Sequence, residues 1–149
     1  MKVMIRWATV FLAAVVLNAC SAFEGVTNTL NYAQETTRYL QEAQQFTKEL
    51  PQLAEQAIGS PEMVGQLQAE LEAMRDRILS FEALEPPAFA QELHRQLEER
   101  SVQARDEIEM YLEQLQTNGI DFSSIANSEM LDTLTSVISL LQQIEQLVQ

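Results

Sequence analysis

Apolar residues recur along most of this chain at intervals of three and four, the spacing of one helix face, and no stretch alternates residue by residue as a strand would. The first pattern occupies residues 26–58. Its face carries Val26, Leu30, Ala33, Leu40, Ala43, Phe46, Leu50, Leu53 and Ala57, with Thr36 and Thr37 filling the gap before Leu40. Pro51 falls inside it. A proline has no N–H to donate and its ring collides with the preceding turn, so the pattern predicts one bent helix or a long helix followed by a short one. Gly59-Ser60-Pro61-Glu62 is punctuation. Gly59 suits a left-handed helix end, Ser60 the cap of the next helix and Pro61 its first turn. The second pattern follows with Val64, Leu67, Leu71, Met74, Ile78 and Phe81, a heptad seam of alternating three- and four-residue steps.

Glu85-Pro86-Pro87 ends that helix. A third pattern then runs to about Thr117 on Phe89, Leu93, Leu97, Ala104, Ile108, Leu112 and Leu115, with Ser101 bridging its middle, and Asn118-Gly119 is its stop signal. Residues 120–127 form a loop with some apolar content and room for a short helical turn. The last helix is expected over residues 128–148, on Met130, Leu134, Val137, Leu141, Ile144 and Val148. Short connections make neighbouring helices antiparallel. The expected fold is therefore all-α: an up-down antiparallel bundle of about four helices, the first kinked or broken at Pro51. The seams are narrow, so the rival architecture is an elongated coiled-coil hairpin or an assembly between chains.

The residues ahead of this bundle carry a different pattern. Lys2 and Arg6 make a short positive start, residues 7–17 are apolar except Thr9, and Leu17-Asn18-Ala19-Cys20 ends on the single cysteine of the chain. A basic start, a short apolar run and a small residue before a cut site read as a secretory signal. The run is too short for a membrane span, which needs about 20 apolar residues. Leu-x-Ala-Cys looks like a bacterial lipobox, which implies cleavage before Cys20 and lipid (acyl chains such as palmitate) on its thiol and its new amine. A lone thiol in an exported chain is otherwise odd, because exported cysteines usually pair. The expected division is a signal peptide at 1–19, the lipidated Cys20 and a short tether at 20–25, and a helical domain at 26–149. Two or more acyl chains make anchoring stable.

Charge narrows the partners. Of 149 residues, 9 are basic and 22 acidic; without Lys2 and Arg6 the remainder stands at 7 − 22 = −15. Such a surface disfavours nucleic acid, which needs basic contacts, and disfavours an electrostatic grip on anionic lipid. It reads first as a solvated surface.

No catalytic, cofactor-binding or metal-binding residue is expected. His94 is the only histidine; a carboxylate-bridged metal pair needs Glu-x-x-His on two helices, and residue 91 is Gln while Glu92 lies two before His94 on another face. Beside Leu93 and Arg95, His94 reads as a surface or boundary residue. Ser123, Ser124, Ser128, Ser136 and Ser139 have no nucleophile motif around them, and the Glu98-Glu99 and Asp106-Glu107 pairs are sequence neighbours that do not face each other on a helix. Phe46, Phe81, Phe89, Tyr39 and Tyr111 fit a packed core more readily than the lining of a ligand cavity.

Several phrases carry a resemblance: Cys20-Ser21, Leu30-Asn31-Tyr32, Leu50-Pro51-Gln52-Leu53-Ala54-Glu55-Gln56-Ala57, Asn127-Ser128-Glu129 and Ile144-Glu145-Gln146-Leu147. They resemble small uncharacterised lipoproteins of Gram-positive, Bacillus-type bacteria. The resemblance implies no activity. It implies anchoring on the outer face of the cell membrane, or on the outer membrane were the source Gram-negative, since Ser21 rather than Asp follows the cysteine. The expected function is a non-catalytic, lipid-anchored interaction domain of the cell envelope that binds another protein or itself. The alternative is a module that binds a small apolar or cationic ligand in the bundle core.

Overall fold

A computed structural model describes residues 2–117 and 119–148, with side chains described from residue 26 onward. Four long helices, α1 (Lys2–Ala57), α2 (Pro61–Glu82), α3 (Gln91–Gln116) and α5 (Glu129–Val148), are joined by short connections, and a single turn, α4 (Phe122–Ile125), sits in the last of them. There is no strand among the described residues. The packing closes a square: α1 lies against α2 and α5, and α3 lies against the same two. This is the up-down antiparallel bundle that the seams require.

The punctuation acts as its chemistry dictates. Gly59 takes φ of 76°, the left-handed conformation that ends α1. Ser60 stands extended before α2 and its hydroxyl accepts the Met63 N–H at 3.4 Å, with Pro61 in the first helical position. In the final connection Asp121 caps α4, its Oδ1 accepting both the backbone N–H (3.0 Å) and the hydroxyl (2.6 Å) of Ser123.

Pro51 does not break α1, which continues through it to Ala57. An interior proline costs about 3 kcal/mol. Leu50, Ala54 and Ala57, on either side of it, are all buried, and that packing outweighs the local cost. The seam of α2 is the one expected, with Leu67, Leu71, Met74, Ile78 and Phe81 buried, and so is that of α5 from Met130 to Ile144.

Two seams differ from expectation at their ends. On α1, Val26 and Leu30 are 58% and 60% exposed, and the buried line is Tyr32, Thr36, Tyr39, Ala43, Phe46, Leu50, Ala54 and Ala57. The cause is the length of the neighbours. Glu145, close to the end of α5, accepts the Thr37 hydroxyl at 3.1 Å, so α1 below Tyr32 extends past its partners. On α3, Phe89 lies in the turn before the helix and is exposed, Leu93 is half-buried, and the buried line is Ala90, His94, Leu97, Ser101, Ala104 and Ile108. A strict alternation of three and four runs through His94 and Ser101. Following the apolar residues instead shifts the start of the seam by one position.

Candidate functional site

The displaced seams bring together the one polar cluster inside the described core. Tyr32 and Tyr39 stand seven residues apart on α1, and His94 and Ser101 seven apart on α3. Seven residues are two turns, so each pair presents one face. The Tyr32 hydroxyl meets His94 Nδ1 at 3.0 Å, and the Tyr39 hydroxyl meets Ser101 Oγ at 3.0 Å. Both bonds cross the diagonal of the square, and their equal offset in sequence shows that α1 and α3 run parallel and in register. Phe81 of α2 fills the space between them, its ring centroid 5.7 Å from Tyr32, 5.2 Å from Tyr39 and 5.3 Å from His94. Thr36 lies between the tyrosines, also fully buried, and satisfies its hydroxyl by donating to the Tyr32 carbonyl at 2.8 Å.

His94 is thus a buried residue rather than the surface or boundary residue its neighbours suggested. Its polar partner was the missing element: a tyrosine seven before another tyrosine, opposite a histidine seven before a serine, is a period visible in the sequence once polar residues are allowed on a seam. Burial lowers the His94 pKa from its ordinary value, opposed by the charge of Glu98. Burial likewise drives both tyrosines well above the usual phenol range. The cluster is therefore neutral at neutral pH. The tautomer of His94 decides which partner donates in its bond to Tyr32.

Charge is held at the margins of this cluster. Arg77 of α2 clamps Glu42 of α1 through two bonds, Nε–Oε2 at 2.6 Å and Nη2–Oε1 at 3.0 Å, and reaches Glu35 at 3.0 Å. Glu82 at the end of α2 pairs with Arg105 of α3 at 2.6 Å, while its other oxygen is buried without a hydrogen-bond partner. Desolvation raises the Glu82 pKa, and Arg105 pulls it back.

What can this arrangement do? General acid–base work needs a substrate within hydrogen-bond reach of the acid or base. Tyr32, Tyr39 and Phe81 are enclosed by the helices, and the best-formed surface grooves are lined by other residues. One of these grooves lies at the far end, between the α1–α2 turn and α4, bounded by Ala57, Pro61, Val64, Leu115, Ile120 and Phe122. Tyr39, Phe81 and Phe46 are core residues and Phe89 is exposed. No group of three or more His, Cys, Asp or Glu among the described residues is placed to hold a metal ion. The expected lipid-attachment residue, Cys20, together with the expected signal peptide and tether, lies outside the residues whose side chains are described. Among the described residues no helix is long and apolar enough to cross a membrane.

The fold and its interior define a helical-bundle protein with a buried polar cluster in its core. Residues 32–147 match a family of unknown function, DUF6376, and the chain belongs to that family. It is also similar to the uncharacterized lipoprotein YybP of Bacillus subtilis (strain 168), 28% identical over 128 residues that cover 86% of each chain. No solved structure matches the chain.

Proposed function

We propose that this chain is a lipid-anchored protein of the cell envelope whose helical bundle serves as a non-catalytic interaction domain on the outer face of the membrane. The observation that carries the anchoring is the sequence Leu17-Asn18-Ala19-Cys20 at the end of a short apolar run, in a chain similar over 86% of its length to a protein named a lipoprotein. In this reading residues 1–19 are removed, Cys20 carries the lipid and residues 26–149 form the working domain. The non-catalytic part draws support from the polar interior: Tyr32, Tyr39, His94 and Ser101 are engaged with one another, leaving their hydroxyl and ring groups committed to packing. A protein partner, or a second copy, is the expected ligand of the outer surface.

Cys20→Ala tests the anchor. The variant expressed in its bacterial host loses all incorporation of labelled fatty acid, while the domain keeps its helical circular dichroism. Undiminished labelling of the variant overturns the assignment. Cross-linking of the lipidated chain in its own membrane tests the interaction role, and a catalytic turnover found for the purified domain would replace it.

A further inference from the structure

Seven large hydrophobic side chains among the described residues stand exposed, and four of them gather at one end. Val26 and Leu30 lie on the stretch of α1 that runs past its partners. Phe89, 50% exposed, lies in the α2–α3 turn at the same end, and Leu147, 51% exposed, lies in the last turn of α5. The antiparallel path brings these elements together: Tyr32 touches both Phe81 at the end of α2 and His94 at the start of α3, and Thr37 bonds Glu145 of α5. Ile58 lies at the opposite end, and Leu79 and Met110 on the flanks.

The same end is nearly free of charge. Residues 26–34 and 146–148 carry no charged side chain, residues 83–90 carry only Glu85 and the short stretch after Cys20 only Glu24, in a chain with 9 basic and 22 acidic residues. An acidic domain is repelled by an anionic leaflet wherever its carboxylates approach the surface. An apolar end with few charges is a face that can come close. It is also the end that must come close. Five residues lie between Cys20 and Val26, and the six steps from one to the other span at most roughly 20 Å even when fully extended.

We infer that the base of the bundle docks on the lipid surface itself, with Val26, Leu30, Phe89 and Leu147 seated at the boundary between headgroups and acyl chains. This rests on the lipid-anchor reading of Cys20. The docked base adds apolar contact to the acyl anchor and orients the bundle upright. It leaves the far-end groove between the α1–α2 turn and α4 pointing away from the membrane, where a partner can reach it.

The test uses the full chain, lipidated in its host and reconstituted into vesicles of phosphatidylglycerol and phosphatidylethanolamine. Cys20 is the only cysteine, so once its thiol carries lipid an introduced cysteine is the sole site for a fluorophore. Leu30→Cys and Phe89→Cys report on the base and Ile58→Cys on the far end, all at exposed positions that leave the core untouched. Labels at positions 30 and 89 should shift to the blue and be quenched severalfold more than the label at 58 by nitroxides carried on the lipids. Flotation of the vesicles and the mass of the Cys20 peptide monitor the anchor separately. A chain that floats with lipid on Cys20, but whose labels at 30 and 89 stay as open to water as the label at 58, overturns the docking and spares the anchor. Labels shielded from water yet untouched by the lipid quenchers point to a protein or a second copy over the base, and also overturn it. A chain without lipid on Cys20 that does not float sinks both readings together.

Discussion

The two halves of this bundle are built on different principles. In the far half, the seams meet through Phe46, Leu50, Leu67, Leu71, Ile108, Met130 and Leu134, all buried and all apolar. In the half nearer the base, the α1 and α3 seams turn polar at the same level, with Tyr32, Thr36, Tyr39, His94 and Ser101 packed around Phe81. Apolar burial is non-directional and scales with area. It stabilises many registers of four helices nearly as well as one. A hydrogen bond across the diagonal tolerates no such slip: moving α3 by one residue would part Tyr32 from His94 and Tyr39 from Ser101 at once, leaving buried polar groups unpaired at about 1–3 kcal/mol each. The far half therefore stabilises without direction, and the base half adds the bonds that select the alignment.

The largest effects should come from the far half. Leu71 is fully buried in the middle of the α2 seam. Leu71→Ala should cost about 2–5 kcal/mol, and Leu71→Asp more, because it buries an unpaired charge. Urea melts of the fragment 21–149 measure both. A cost below about 1 kcal/mol for Leu71→Ala would mean that Leu71 does not pack in the far-half core.

Next come the diagonal bonds, where the two partners should respond unequally. Ser101→Ala strands the Tyr39 hydroxyl, which is fully buried and has only this partner among the described residues, at an expected cost of about 1–3 kcal/mol. Tyr39→Phe frees the Ser101 hydroxyl instead. A serine inside a helix can turn to the carbonyl one turn back, here that of Leu97, so this change should cost less than about 1 kcal/mol. The double variant should fall well short of the sum, since it removes both polar groups together. Strict additivity would show that the bond does no aligning and would erase the contrast between the halves.

The unequal halves also explain what was legible in the sequence. Where a seam is wholly apolar, as on α2 and α5, its period could be read residue by residue. The caps at Gly59-Ser60-Pro61 and the stop at Glu85-Pro86-Pro87 follow from local chemistry and were equally plain. The polar half was misread for a physical reason: Tyr, His, Thr and Ser are scored as surface until their partners are known, and a partner across the bundle diagonal lies 62 residues away. Hence the apolar pattern puts Val26, Leu30, Phe89 and Leu93 on the seams in preference to Tyr32 and His94, and admits Thr36 and Ser101 only as fillers of gaps. Pro51 was readable as a defect, but its outcome depended on the packing of Leu50, Ala54 and Ala57 around it, a tertiary matter.

The base half should also carry the pH signature of a buried histidine. Burial lowers the pKa of His94 in the fold. The unfolded chain then takes up a proton first as pH falls below about 6.5, and the His94 contribution is lost as pH falls on through the folded value. Half-buried Glu82 and Glu107 have raised values and act in the opposite sense, since protonating them as pH falls favours the fold. The clean observable is therefore a difference. The stability gap between the native chain and His94→Phe should be widest near neutral pH and narrow on the acid side. A gap that is constant between about pH 8 and pH 5 would show that His94 keeps its proton balance on folding, and that the base half is no more polar in effect than the far half.

The smallest expected effect is the control for the whole comparison. Glu72 follows Leu71 directly, about 100° around the helix. It is half-buried, and its carboxylate accepts the Gln68 side-chain amide at 2.8 Å, a same-helix contact four residues apart. Such pairs are worth about 0.2–0.5 kcal/mol, so Glu72→Ala should change stability by less than about 0.5 kcal/mol in the same melts. Alanine's higher helix propensity offsets part even of that. The contrast with Leu71 is what fixes the phase of α2: if the two neighbours cost alike, the α2 face packed against α1 and α3 is rotated from the one described. Phe81 would then no longer fall between Tyr32, Tyr39 and His94, and the polar half would lose the residue that fills its centre.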